Sequence, residues 1–276
     1  MLSYPFLLCV SVVAGFVGAM AGMGGGVVLI PVLTLCGIPI KKAIAISIVS
    51  VIATSSGSAS AYVRDHLTNL KIGMFLEMFT IIGALAGAAI TVGIHARWLY
   101  LLFGLVLMVS WMILYFRDKE DWQAPASQDR LSRWLEFNGS YPDQALGRTV
   151  DYHATNAAAG ASLMFGAGLI AGLLGIGAGS LKVLIHDLVM GLPPKVSTTT
   201  SNLIIGVTAL AGTSVYLAKG LIDPGLAAPV IMGIIPGSFL GTRLLVRMHN
   251  QAVRRFFLVV LAVLGVQMIW RGLANG

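Results

Sequence analysis

The sequence predicts an all-α polytopic membrane protein made of two homologous repeats. Its composition, the length of its apolar segments and a repeated residue pattern support this prediction. Of the 276 residues, 57% are hydrophobic and only 11% are charged, whereas about a quarter of the residues in a soluble domain are charged. The mean hydropathy is +0.87. The apolar runs are about 20 residues long, as a helix that crosses a hydrocarbon core of about 30 Å must be. We therefore expect about eight membrane segments, in two four-segment repeats.

The first apolar run, residues 5–36, is nearly uncharged and is interrupted by glycines between Gly22 and Gly26. A continuous helix of this length would be longer than the membrane core, whereas two full spans would need a longer run. We expect the glycines to break it into two shorter pieces, which either kink through the membrane or turn back as a re-entrant hairpin. Three further segments are expected in the first half, at residues 43–63, 72–94 and 98–116.

The only long polar stretch, residues 117–155, separates a first membrane repeat at residues 1–116 from a second at residues 156–276. This linker holds seven of the eleven acidic residues, which places it outside the membrane. Apolar side chains between Trp122 and Phe137 are compatible with a short amphipathic helix on the membrane surface. A loose polar loop is an equal alternative.

The second half repeats the glycine, proline and polar positions of the first half. Four glycines recur 153 positions later, as the pairs Gly15/Gly168, Gly22/Gly175, Gly24/Gly177 and Gly26/Gly179. After one inserted residue the offset becomes 154, and the matched pairs are Gly37/Gly191, Pro39/Pro193, Lys41/Lys195, Ser47/Ser201, Thr54/Thr208, Tyr62/Tyr216, Gly83/Gly237, Gly87/Gly241 and His95/His249. This pattern indicates an internal duplication, in which the glycine-broken first segment is duplicated too.

The distribution of basic residues favours inverted over parallel repeats. Four full spans in each half would give parallel repeats, with nine lysines and arginines on one side and eight on the other when Lys182 is left out. Three spans plus a re-entrant hairpin would give inverted repeats, and the split becomes twelve against five. Because lysine and arginine accumulate on the cytoplasmic side, we expect inverted repeats and a cytoplasmic linker. Duplicated halves are typical of secondary transporters, whose site lies between the halves near the midplane.

Several other classes of function are disfavoured. The net charge is +7, but the basic residues are scattered singly between apolar segments, so no nucleic-acid surface is predicted. Cys9 and Cys36 lack the spacing of a metal or redox motif and are expected to be buried small residues. The chain has no GxxxxGK[ST] loop for ATP, no metal-ligand cluster and no nucleophile or paired-carboxylate site. We therefore expect no enzyme activity, no cofactor and no metal.

Two ionisable residues lie inside apolar segments. Lys182 follows the second glycine break by three residues, and a lysine at membrane depth costs on the order of 3 kcal/mol unless it faces a cavity or a partner. It either holds an anion as a fixed positive charge, pairs with His186 or Asp187 to close the bundle, or extends its head group to the interface. Glu77 is either a proton-coupling group or an acid that reaches the interface.

The two glycine breaks are candidate anion-binding turns. A half-helix that begins inside the membrane points its first unpaired N–H groups, and the positive end of its dipole, at a cavity. The predicted turns consist of Gly24, Gly25 and Gly26 in the first repeat and of Gly177, Ala178, Gly179 and Ser180 in the second. Close packing of helices through small residues is the alternative explanation of both breaks.

A segment rich in hydroxyls, residues 197–202, opens the helix that follows the second break. Hydroxyls and the Asn202 amide suit an oxygen-rich anion as hydrogen-bond donors. Alternatively, they bond to carbonyl groups of their own helix. The candidate ligands that share a helix face are Ser201 and Thr208, with Ser47 and Thr54 as their counterparts in the first repeat.

These motifs resemble the TauE/SafE sulfite exporter family, also called the TSUP permeases. The resemblance rests on the paired breaks GMGGG and GIGAG, each followed by an apolar run, G-[IL]-P and a basic residue, together with the segment KVSTTTSNLIIGVTA. It covers nearly the whole chain except the linker. The chain departs from the family pattern at Ala178, Leu184 and Asp187, which leaves the expected fold unchanged and the substrate open.

The resemblance implies a secondary transporter, a permease or exporter in the cell inner (plasma) membrane, for small sulfur-containing anions such as sulfite, sulfoacetate or other sulfonates. It implies substrate contacts from both glycine turns, Lys182, Ser201 and Asn202. The expected partners are a small anion and the lipid bilayer, with a homo-oligomer and a coupling proton or cation left open. A permease for a different organic anion and an anion channel are the alternatives.

Overall fold

The computed structural model describes residues 4–21, 24–64, 67–116, 125, 127–143, 148–247 and 250–274. The elements of the first half are α1 (Tyr4–Ala21), α2 (Gly26–Leu35), α3 (Ile40–Arg64), α4 (Leu70–Gly93) and α5 (Ala96–Phe116). The linker contains α6 (Arg130–Trp134), β1 (Asn138–Asp143) and β2 (Arg148–His153). The second half contains α7 (Ala157–Leu174), α8 (Gly179–Leu184) with a π-helical continuation (Ile185–Val189), α9 (Pro194–Ala218), α10 (Pro224–Arg247) and α11 (Asn250–Ala274).

The chain is a mostly helical multipass membrane protein. In its described part, six helices are long and apolar enough to cross a membrane, namely α3, α4, α5, α7, α9 and α10. Shorter apolar helical stretches cover Tyr4–Ala19, Gly26–Leu35 and Leu258–Ala274. The sequence predicted about eight segments; the described residues contain these six spans and the shorter stretches, so the eight-segment arrangement stays a prediction.

Both glycine breaks reverse the direction of the chain. At the first, Gly24 has a left-handed φ of +74°, and a Cβ on Gly25 would lie 3.4 Å from the Ala14 carbonyl oxygen. A continuous helix would hold residues 14 and 25 about 16 Å apart. At the second, the Thr155 N–H donates to the Met190 carbonyl oxygen at 3.0 Å, so the chain that leaves the break returns to the start of α7.

Two helix pairs pack in parallel through glycines. Helix α4 packs on α7, where Gly83 lies against Phe165 and Gly87 against Leu169. Helix α10 packs on α1 in the same way, and this pair is held by Gly237 against Val12 and by Gly241 against Phe16. The close approach needs glycine, because a Cβ at any of these positions would overlap backbone atoms of the facing helix.

Two other helix pairs pack antiparallel. Between α3 and α9, the Ser55 hydroxyl donates to the Asn202 carbonyl oxygen at 2.5 Å, whereas Gly212 lies against Ile48. Between α5 and α11, Gly104 lies against Ile269 and Gly272 against Leu101. In both pairs residue numbers rise along one helix as they fall along the other. Helices α4 and α9 run parallel instead, because Gly73 contacts Thr200 and Glu77 contacts Thr208.

The linker contains a β-hairpin that the sequence did not predict. Strands β1 and β2 pair antiparallel, with Tyr141 opposite Val150. Trp122 lies outside the described residues, and the helical part of the predicted amphipathic segment is reduced to the five residues of α6. The hairpin forms because its aromatic side chains join a buried cluster with the N-terminal halves of α4, α7 and α9. The members of this cluster are Ile72, Leu76, Phe137, Tyr141, Tyr152, Ala154, Ala157, Met164, Met190, Leu192, Val196 and Ile204.

The two cysteines contradict the expectation that they are buried. Cys9 on α1 and Cys36 at the end of α2 are both exposed on the outer surface of the bundle. A membrane protein presents its apolar side chains to lipid as well as to its core, so the apolar sequence around a cysteine does not determine which way it faces.

Candidate functional site

The two glycine breaks meet at the centre of the bundle. The Ser47 hydroxyl on α3 donates to the carbonyl oxygen of Gly175 at 2.9 Å. Gly26, the first residue of α2, lies at the same point, because a Cβ there would sit 2.8 Å from the Gly175 oxygen and would overlap the Ser47 hydroxyl. Three elements from two distant parts of the chain therefore converge on Gly175.

The second break is formed by three left-handed residues. Gly175, Gly177 and Ala178 have φ values of +63°, +71° and +47°. Two of these positions are glycines, for which a positive φ carries no steric cost. Ala178 adopts the left-handed conformation at a cost of about 1–2 kcal/mol, because it carries a side chain that glycine lacks. Gly24 is the left-handed residue of the first break, whereas Gly25 packs on Ile234 and Gly26 begins α2.

Lys182 is completely buried in the second half of the bundle, with 0% of its surface exposed. It lies in the first turn of α8, and its ammonium group donates to the Thr208 hydroxyl on α9 at 2.6 Å. Burial of this kind rules out a head group that extends to the interface. The contact with Thr208 brings together two of the predicted site residues.

Glu77 lies on the other side of Thr208. Its two carboxylate oxygens are 2.8 and 3.0 Å from the Thr208 hydroxyl, and the Thr80 hydroxyl donates to the same carboxylate at 2.7 Å. The Glu77 side chain is 2% exposed, so it does not reach the interface. The result is a buried chain of polar groups, Lys182, Thr208 and Glu77, that joins α8, α9 and α4 and holds one positive and one negative charge.

The Thr208 hydroxyl determines the direction of the hydrogen bonds between Lys182 and Glu77. It accepts from the Lys182 ammonium group, and its single proton has the Glu77 carboxylate and the Ile204 carbonyl oxygen, 2.7 Å away, as acceptors. A carboxylate is the stronger acceptor of the two because it is charged. The hydroxyl therefore relays the attraction between the Lys182 and Glu77 charges.

His186 adds a further polar group one helical turn beyond Lys182. The residue is 0% exposed, and its Nδ1 lies 3.3 Å from the Ser197 carbonyl oxygen. Its Nε2 is buried and has no hydrogen-bond partner among the described residues. A buried polar atom without a partner is uncommon in proteins, which marks His186 as a candidate contact for a ligand.

The remaining predicted ligands divide into two groups. Ser47 and Ser201 bond to the second break, because Ser201 donates to the Gly179 carbonyl oxygen at 3.3 Å. Thr54 donates to the Ser50 carbonyl oxygen at 2.9 Å and the Asn202 amide to that of Thr198 at 3.1 Å, so both bond to their own helix. The side chain of Ser180 lies outside the described part of the chain.

The sequence indicated Glu77 only as a lone acid in an apolar segment and His186 only as an alternative partner of Lys182. Glu77 comes seven residues after the start of α4, where an acid can face the headgroups or the core, and His186 follows the break within a π-helical turn. Their roles depend on α9, which supplies Thr208 to one and Ser197 to the other. The one signal in the sequence was the presence of ionisable residues inside apolar segments.

A glycine-broken membrane bundle with a buried lysine, acid and histidine at its centre has the features of a membrane transporter. The chain belongs to the sulfite exporter TauE/SafE family, because the model of that family matches residues 7–268. It is 25% identical over 280 residues to the probable membrane transporter protein YunE of Bacillus subtilis (strain 168), covering 99% of each chain. It is 26% identical over 274 residues to the probable membrane transporter protein YdhB of the same organism, covering 98% of this chain and 100% of the relative. No solved structure matches the chain.

Proposed function

We propose that this protein is a secondary transporter of the inner (plasma) membrane for small sulfur-containing anions such as sulfite, sulfoacetate or other sulfonates. The observation that supports this most directly is Lys182, which lies fully buried beside a glycine break. A positive charge at this depth needs a negative partner. Glu77 supplies one through Thr208, and the substrate anion is the second partner in our proposal.

His186 supports a binding position next to Lys182. The two residues are four apart, so they lie on the same face of the short helix that follows the break. The unpartnered Nε2 of His186 is available to donate to an oxyanion when it carries the proton. Ser201 donates to the Gly179 carbonyl oxygen at the start of the same helix. It is the hydroxyl that we propose helps to select the anion.

We further propose that the two halves are inverted repeats, each with three spans and a re-entrant hairpin. Parallel repeats, related by an axis along the membrane normal, would pack α3 parallel to α9 and α5 parallel to α11. Both pairs are antiparallel, which supports the inverted arrangement. The return of the chain from Met190 to Thr155 supports a hairpin in the second half.

The contact between the two glycine breaks supports a mechanism by which the substrate site opens to each side of the membrane in turn. The contacts of Gly26 and Ser47 with Gly175 close the space between the halves, and the neighbouring site residues Lys182 and His186 are fully buried. In our proposal this is an occluded state. Rocking of one half against the other would separate the breaks and open the site to one side at a time.

The test is counterflow of labelled sulfite and sulfoacetate in proteoliposomes, with acetate and chloride as competitors. We expect saturable counterflow that sulfur anions inhibit best, its loss in Lys182→Ala, and its retention in Lys219→Ala, which removes an exposed lysine at the end of α9. Removing one partner of a buried pair costs about 3–5 kcal/mol, so the charge-neutral double variant Lys182→Met with Glu77→Gln separates loss of binding from loss of folding. Equal inhibition by acetate would indicate a different organic anion, and conduction without saturation or counterflow would indicate a channel.

A further inference from the structure

We propose that Glu77 carries a proton that is taken up with each substrate anion, so that transport of a monovalent anion is electroneutral anion–proton symport. This inference rests on the proposed function above. It starts from the chain of Lys182, Thr208 and Glu77, which balances one positive and one negative charge in a site closed to water. This balance of charge is lost when a substrate anion brings a second negative charge into the site.

An anion bound next to Lys182 competes with Glu77 for the same positive charge. If Glu77 stayed ionised, two negative charges would share one buried cation, and a net charge in a low-dielectric site is strongly disfavoured. A proton on Glu77 restores neutrality. The anion then pairs with Lys182, and the carboxylic acid of Glu77 remains hydrogen-bonded to Thr80 and Thr208, because a hydroxyl can both accept and donate.

The local hydrogen bonds allow both protonation states of Glu77. Thr80 donates to the ionised carboxylate, and its hydroxyl also lies 3.0 Å from the Glu77 carbonyl oxygen and 3.2 Å from that of Leu76, to which it can donate instead. Thr208 has the Ile204 carbonyl oxygen as its alternative acceptor. Both threonine protons therefore have another acceptor on their own helix when Glu77 becomes a donor.

The other titratable groups around Glu77 are few. Helix α7, packed on α4, carries none. On α9, Lys195 is exposed near the start, and the buried Tyr216 donates to the Gly172 carbonyl oxygen at 2.6 Å. The segment from α8 to the π-helical turn contributes Lys182, His186 and Asp187, while Lys71 on α4 pairs with Glu136 in the linker at 2.7 Å. His186 and Asp187 are therefore the competitors for the proton, and the test must separate both from Glu77.

The test measures the binding of methanesulfonate to the purified protein as a function of pH, because this anion keeps a single fixed charge. In the wild type we expect affinity to weaken about tenfold for each unit rise in pH above the range in which Glu77 is protonated, and about one proton to be taken up per anion bound. In Glu77→Gln, which keeps the size and hydrogen bonding of the side chain, affinity should be independent of pH. Glu136→Gln removes an exposed acid and should keep the wild-type profile.

Three results would overturn the inference. The first is wild-type binding that does not depend on pH. The second is a pH dependence that persists in Glu77→Gln but disappears in His186→Gln or Asp187→Asn, which would make that residue the proton carrier. These two leave the proposed function standing. The third is a wild type that binds no methanesulfonate, sulfite or sulfoacetate at any pH, which overturns the proposed function together with this inference. In liposomes, a pH gradient should drive the uptake of methanesulfonate by the wild type whatever the membrane potential, whereas Glu77→Gln should only exchange anions.

Discussion

The Ser47 hydroxyl donates a hydrogen bond to the Gly175 carbonyl oxygen at 2.9 Å, and this bond joins helix α3 of the first half to the glycine break of the second. Ser201, the counterpart of Ser47 in the sequence repeat, donates to the Gly179 carbonyl oxygen at 3.3 Å. Ser47 therefore satisfies the carbonyl group of the residue that caps the end of α7, where helix carbonyls lack helical partners, whereas Ser201 bonds to the first residue of α8. Serine hydroxyls from both halves of the chain therefore stabilise the second break.

Replacing Ser47 by alanine should weaken the contact between the halves. The substitution leaves the buried Gly175 carbonyl oxygen without this donor, which costs about 1–3 kcal/mol. We expect a lower unfolding temperature in detergent and slower anion counterflow. Ser56→Ala is the matched control, because Ser56 lies on the same helix, is exposed and bonds only within α3, to the Ile52 carbonyl oxygen. Equal behaviour of the two variants would show that the Ser47 bond contributes nothing.

Replacing Gly172 by alanine should separate α7 from α4. A Cβ at this position would overlap the backbone of Ala84, and backbone atoms cannot move aside without moving the helix. Overpacking of this kind costs about 1–3 kcal/mol. Gly166, on the same helix, has open space where a Cβ would be, so Gly166→Ala should be neutral or stabilise the helix by up to about 1 kcal/mol. Thermal unfolding of both variants measures the difference, and a destabilised Gly166→Ala would contradict this account.

The glycine breaks and most helix bounds could be predicted from local sequence. The predicted segments 43–63, 72–94 and 98–116 became α3, α4 and α5, with ends that differ by at most three residues. Long apolar runs and glycine interruptions are local signals, and the membrane allows few alternatives for them. The sequence left open whether the Lys182 head group is buried or extends to the interface, and its complete burial decides between the two.

The β-hairpin and the partner of Lys182 could not be predicted, because both depend on contacts between distant residues. Strand β1, with the sequence NGSYPD, contains glycine and proline and lacks alternating apolar residues, so it has no local strand signal. It forms because Tyr141 and Tyr152 pack against the starts of membrane helices. Likewise, Lys182 and Glu77 are 105 positions apart and meet only through Thr208.

The inverted arrangement predicts the sides on which three exposed residues lie. In a background without Cys9 and Cys36, single cysteines at Ser127, Lys195 and Lys219 are labelled with a membrane-impermeant maleimide in vesicles of known orientation. Inverted repeats place residues 127 and 195 on one side and residue 219 on the other. Parallel repeats would instead place residues 127 and 219 together, with residue 195 opposite, so the two arrangements give different labelling patterns.

Asp129 should make the attachment of the linker to α7 sensitive to acid. Its carboxylate accepts from the N–H groups of Asn156 at 2.7 Å and Ser132 at 3.3 Å, and from the Thr155 hydroxyl at 3.3 Å. Slight burial acts to raise the pKa of Asp129, but these hydrogen bonds outweigh it and hold the pKa below its usual value. Because the charged form is favoured in the folded protein, the stabilisation is present above about pH 4 and is lost as the pH falls through the lowered pKa.

Hydrogen exchange at the Asn156 and Ser132 amides reports this attachment. We expect both amides to be protected at neutral pH in the wild type and to lose protection at pH values below the lowered pKa. In Asp129→Ala they should exchange faster at neutral pH, since loss of a helix N-cap costs about 1 kcal/mol, and the acid-dependent step should be absent. Asp151→Asn, an exposed acid on β2 of the same linker, is the matched control and should behave as the wild type. An acid-dependent step that survives in Asp129→Ala would assign the effect to another group.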